Sequence, residues 1–216
     1  MTMTDLLDHL PALVQGFGMT LLISVPAFAL SLIIGTVAAI FRVSGVKPLE
    51  IVGTVYVEAV RNSPLLLILL MLIFGFPDLG ITLSLEVAVI IGLALYSGTY
   101  VCETVRSGIN TVDIGLVEAA RASGLTTRTV IGEILLPLSL RTMVPPFATI
   151  FINTVLSSAL AAAVGVAELT GETRAYNLEA AQPFLAFGVA AAGYLLINLT
   201  IGWLSARSER ALKVIR

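Results

Sequence analysis

The stretch that decides the fold reads 107-SGINTVDIGLVEAARASGLTTRTVIGEILLP-137. It is too polar to cross a bilayer and too patterned for a flexible linker. Asp113 is placed to cap a short helix over 114–123. Gly124 fits the position after a helix end, where a positive φ is required. Thr126 or Thr127 can cap a second short helix, which must end before Pro137 or kink there. The expected product is a helix–turn–helix lying on the membrane surface. Small side chains at Ala119, Ala120 and Ala122 let another protein approach the first helix closely, and Glu118, Arg121 and Arg128 can set its register. By periodicity alone, a surface helix without a partner is the simpler reading.

Outward from this loop the chain is apolar in both directions. Of 216 residues, 57% are hydrophobic and 12% charged, with a mean hydropathy of +1.01. A soluble domain carries about 25% charged residues, so an ordinary cytosolic enzyme and a disordered chain are excluded. A formal charge of −2 leaves no basic footprint for nucleic acid. One cysteine and one histidine, His9, leave no material for a disulfide framework or a histidine-rich metal site, so no metal is expected.

A spanning helix needs about 20 apolar residues. Five runs qualify, at about 14–41, 51–76, 83–105, 143–166 and 184–204, forming one transmembrane domain over 1–216. They are continuously apolar, without the alternation of a barrel. The first run is preceded by Asp5 and Asp8 and by no Lys or Arg, which is unlike a signal peptide. With the N-terminus outside, ten of the twelve Lys and Arg face the cytoplasm: Arg42, Lys47, Arg106, Arg121, Arg128, Arg141, Arg207, Arg210, Lys213 and Arg216. That is the positive-inside arrangement. Arg61 lies near the cytoplasmic end of the second run, and Arg174 falls outside. Five spans cannot be halved into repeats, so a complete pathway needs a second copy or a second chain.

Polar groups inside apolar runs are expensive and therefore informative. Glu58 and Arg61, three apart, can pair on one helix face, and Pro64 can kink the second span. Glu103 and Arg106 repeat that spacing, with a gate or subunit contact as the functional alternative to simple pairing. Asn153, Thr154, Ser157 and Ser158 form a stripe that can bond a neighbouring helix or line a polar pathway. Gly35, Ala38, Ala39, Gly92, Ala94 and the string 159–165 read as small-residue packing sites, and Cys102 as a small apolar packer.

Glu118-Ala119-Ala120, then Gly124 after three residues, then Ile134 and Leu136-Pro137 after nine more, resemble the "EAA" loop of ATP-binding cassette (ABC) importer permeases. The likeness covers nearly the whole chain. Gly16–Leu21, Tyr56 with Arg61 and Pro64-Leu65, Tyr100 with Glu103, Arg106 and Gly108, and Leu136-Pro137 with Arg141 and Pro145 look like motifs of the polar amino-acid permeases, and Arg42–Lys47 with Arg61–Pro64 and Arg106–Asn110 looks closest to the glutamate type. Where that family often reads KxTSL, this chain carries Leu156, Ser158, Ala159 and Leu160; Leu116 replaces the usual Gln before the EAA.

The resemblance implies the all-α, five-span fold of type I ABC importer permeases, in the cytoplasmic membrane of a bacterium. It implies a permease for a polar amino acid: glutamate, aspartate, glutamine or a relative. Expected partners are a second permease subunit, identical or not, two cytoplasmic ATP-binding subunits and an extracellular binding protein. Glu118, Ala119, Ala120, Gly124, Leu136 and Pro137 are the expected ATPase-coupling residues. Asn153, Ser157, Ser158 and Glu103 are candidates for the solute pathway. No GxxxxGK[ST] phosphate loop occurs, so ATP and magnesium are expected on the partner ATPase, with no cofactor and no enzymatic activity on this chain. The alternative is an ion-coupled carrier or channel, which needs intramembrane carboxylates; Glu103 is the one well inside a span, and Arg106 can neutralise it. A membrane enzyme is a weaker alternative, since one histidine at the N-terminal end cannot build a His-based site within the bilayer.

Overall fold

The computed structural model describes residues 3–212, and every regular element among them is helical. Lys213 and Arg216, two of the expected cytoplasmic cations, lie outside the described residues. The first span is α1 (Met3–Val43), about 60 Å long at 1.5 Å per residue and so longer than the hydrocarbon core. It packs most extensively on α4 (Leu85–Asn110). The two approach closely because Gly35 carries no side chain: a Cβ there would stand 2.5 Å from the Gly98 carbonyl oxygen.

The second expected span, 51–76, is not one helix. It is divided into α2 (Lys47–Arg61) and α3 (Leu65–Leu70), the latter continuing through a π turn (Met71–Gly75) and a 3-10 turn (Phe76–Leu79). The two halves are bent by 103°, far more than a proline kink. A residue before proline is pushed out of the α region, so Ser63 cannot continue the helix into Pro64. The loose carbonyls of α2 are taken by side chains instead: Asn62 donates to Glu58 O at 2.8 Å and Ser63 to Ala59 O at 2.7 Å. Leu69 of α3 then fills the gap left by Gly92 on α4.

In the loop, α5 (Ile114–Ala122) is capped by Asp113, whose Oδ1 accepts from Gly115 N at 2.8 Å. It ends in a Schellman turn: Leu125 N–H bonds Ala120 O at 3.2 Å, Gly124 N–H bonds Arg121 O at 3.0 Å, and Gly124 has φ +81°. Thr126 caps α6 (Thr127–Thr129), accepting from Thr129 N. Of the two outcomes expected at Pro137, an end or a kink, this second helix does not take the first. It runs through a π turn (Val130–Leu135) directly into α7 (Leu136–Ser158). Pro137 offers no N–H to an α ladder, and the wider turn absorbs the mismatch just ahead of it. The fourth helical rod therefore begins well before residue 143.

A 3-10 segment (Ala159–Val164) closes α7 at Gly165, φ +96°, and α8 (Leu169–Ala180) and α9 (Pro183–Leu212) follow. Among the described residues four rods are long and apolar enough to cross a membrane, and the bent α2–α3 pair makes a fifth if counted as one broken span. Ile33, Leu22 and Leu199 stand more than half exposed, as expected of surfaces solvated by lipid. Trp203, with Arg207 5.5 Å from its ring centroid, sits near the end of α9, in the manner of an interfacial aromatic.

Candidate functional site

Helices α4 and α7 present polar residues at helical spacing, and between them lie two adjoining cavities of about 430 and 460 Å³. Tyr100, Ile150 and Asn153 border both, so they form one groove. Tyr96, Ser97 and Ser157 line one end; Arg61, Glu103 and Thr149 line the other.

The expected stripe on the fourth span splits. Asn153 and Ser157 line the groove. Thr154 and Ser158, one position further round the helix, are buried: Thr154 bonds Ser97 at 2.8 Å, and Ser158 donates to Val155 O at 2.7 Å. Ser158 therefore belongs to packing within the chain and not to the groove.

Glu103 does pair with Arg106, at 3.2 Å, and also with Arg42 of α1. Arg42 was not foreseen because its partner is 61 positions away in sequence. Cys102 is fully buried beside this cluster, as a packer should be. Arg61 does not pair with Glu58 as expected; among the described residues no carboxylate lies within ion-pair distance of it. Its guanidinium instead stands 4.9 Å from the centroid of Tyr100, a cation–π contact. Tyr96 and Tyr100, joined hydroxyl to hydroxyl at 3.2 Å, were not foreseen as a pair. The signal was there in the spacing of 96, 100, 103 and 107, one face of α4.

In the loop between α4 and α7, Glu118, Ala119, Ala122 and Gly124 are exposed, whereas Ala120 is buried in the chain's own fold. Ala120 thus supports the hairpin and does not contribute to an outward small-residue face. Leu136 is exposed and Pro137 half-buried at the start of α7.

A third cluster escaped the sequence reading. Glu168, fully buried, caps α8 with Oε1 on Gly171 N at 2.9 Å, while Oε2 accepts from Tyr194 OH at 2.6 Å. Thr20 Oγ1 lies 3.3 Å from Oε2 and accepts from Leu169 N at 3.2 Å. One carboxylate thereby ties α1, α8 and α9 together.

Comparison with known proteins agrees with this architecture. Residues 31–214 match the family described as "Binding-protein-dependent transport system inner membrane component". The chain is 34% identical over 215 residues, 98% of its length and 100% of the other, to the "Probable glutamine ABC transporter permease protein GlnM" of Bacillus subtilis. It is 33% identical over 211 residues, 89% of its length and 90% of the other, to the "Glutamate transport system permease protein GluC" of Corynebacterium efficiens. A solved structure described as "Crystal structure of an amino acid ABC transporter with histidines" superposes with a TM-score of 0.90 at 28% identity, covering 98% of this chain and 99% of that one. The inward-facing MetNI methionine ABC transporter shares the fold at a TM-score of 0.75 and 21% identity, covering 99% and 100%. A broken second span, a polar groove between α4 and α7 and a capped hairpin on the loop joining them thus occur in a chain that belongs to the inner-membrane components of binding-protein-dependent transport systems, as an ABC importer permease.

Proposed function

We propose that the chain is the permease subunit of an importer for glutamine, glutamate or a related polar amino acid, set in a bacterial cytoplasmic membrane with its N-terminus outside. Two permeases, identical or not, bring their grooves together. Two cytoplasmic ATP-binding subunits dock on the α5–α6 hairpins, and an extracellular binding protein delivers the solute. ATP and magnesium are held by the ATPase subunits, and this chain performs no chemistry on the solute. Closure of the ATPases pushes the hairpin, and because α6 runs without a break into α7, the push moves the wall of the groove.

The observation that carries this reading is that continuity: a rigid hairpin, locked by a Schellman turn at Gly124, is welded to the rod that bears Asn153 and Ser157. The test is substrate-stimulated ATP hydrolysis by the purified complex, with co-purification of the ATPase. Gly124→Asp meets the positive φ, a cost of about 1 kcal/mol or more for a side chain. Ala119→Asp puts a charge on the exposed face. Both should leave the spans inserted and reduce stimulation at least severalfold. Normal stimulation and uptake in both would remove the hairpin from the coupling path.

A further inference from the structure

The groove carries an unbalanced charge. Three arginines, Arg42, Arg61 and Arg106, stand near it, and of the residues lining its two cavities Glu103 is the one carboxylate. Glu103 is already held by Arg42 and Arg106. Arg61 is left over, and among the described residues no acid pairs with it.

Its position is also prepared. Arg61 is the last residue of α2, where the helix C-terminus favours a cation. The Tyr100 ring supports the guanidinium through its face. Among the described residues no hydrogen bond takes the guanidinium N–H donors, which remain for a planar, two-oxygen anion, and a carboxylate matches that fork. Asn153 lines the same cavity and offers both a donor and an acceptor.

Resting on the reading of this groove as the solute path, we propose that Arg61 receives the α-carboxylate of the passing amino acid. Every amino acid has that group, so Arg61 sets binding as such. Selection comes from what the groove lacks. A side-chain cation would meet Arg61 and find no unpaired carboxylate, because Glu103 is neutralised twice. The passage therefore takes neutral and acidic side chains and disfavours cationic ones.

The experiment is equilibrium binding of radiolabelled L-glutamine and L-glutamate to the purified permease–ATPase complex without the binding protein, with L-lysine as competitor. L-lysine should compete at least about tenfold more weakly. Arg61→Gln should weaken binding about tenfold or more, and Arg61→Lys less, as expected for loss of a charge-assisted bidentate contact against loss of its geometry alone. Asn153→Leu is measured in parallel. If Asn153→Leu weakens binding and Arg61→Gln does not, the groove is the path and the assignment of Arg61 is wrong. If both bind as wild type, the path itself lies elsewhere and both readings fall. Should Arg61→Gln fail to assemble, Arg61→Lys decides, and unchanged affinity there overturns the proposal. So does a wild-type complex that binds L-lysine as well as L-glutamine, or binds none of the three.

Discussion

Glu168 shows how much can depend on one side chain. Its fully buried carboxylate satisfies a helix N-terminus on α8 and a tyrosine hydroxyl on α9, both donors part-buried. Removing the acceptor leaves these part-buried donors without it, at about 1–3 kcal/mol each. Glu168→Ala should therefore destabilise the permease by at least ~2 kcal/mol and Tyr194→Phe by about 1–3 kcal/mol, read as lower melting temperatures in detergent. Equal melting of both variants with wild type would mean the cluster carries no weight. The contrast with Gly124 shows what a sequence displays. Gly124 was legible because its reason is local: a capped helix, a positive φ and a second cap within a dozen residues. Glu168 was not, because its partners come from Thr20 and Tyr194, brought together only by the packing of α1, α8 and α9.

Among the elements, α4 is the axis against which the others are placed. Its contact with α1 depends on Gly35, and Gly35→Ala should lower stability, since overpacking a tight contact costs about 1–3 kcal/mol. Gly18→Ala on the same helix meets nothing within 4 Å and should be neutral or stabilising by up to about 1 kcal/mol. Thermal melting of the two variants separates close packing from helix propensity. The opposite order would contradict the packing assigned here. Helix existence was readable from hydropathy, because lipid demands long apolar runs. Helix rotation was not: the α7 stripe looked continuous, yet Thr154 and Ser158 turn inward while Asn153 and Ser157 open on the groove. Nor was the 103° break legible as more than a kink, since it needs Ser63 and Asn62 to supply carbonyl partners as well as Pro64.

For the whole molecule, one sidedness is required: the hairpin must face the ATPase. Single cysteines in a Cys102→Ala background at exposed Asp78 and Arg174 should react with an impermeant thiol reagent from outside, and those at Lys47 and Thr127 only from inside. External labelling at Thr127 would place the hairpin beyond reach of any cytoplasmic ATPase. In the proposed function the groove is a passage driven by ATP hydrolysis on partner subunits. The most direct measurement is uptake of L-glutamine or L-glutamate by proteoliposomes holding the full complex, with ATP sealed inside and binding protein outside. Uptake should require the internal ATP and persist when ionophores collapse the proton and sodium gradients. Uptake by this chain without the ATPase, driven by an ion gradient and abolished by ionophores, would contradict the account.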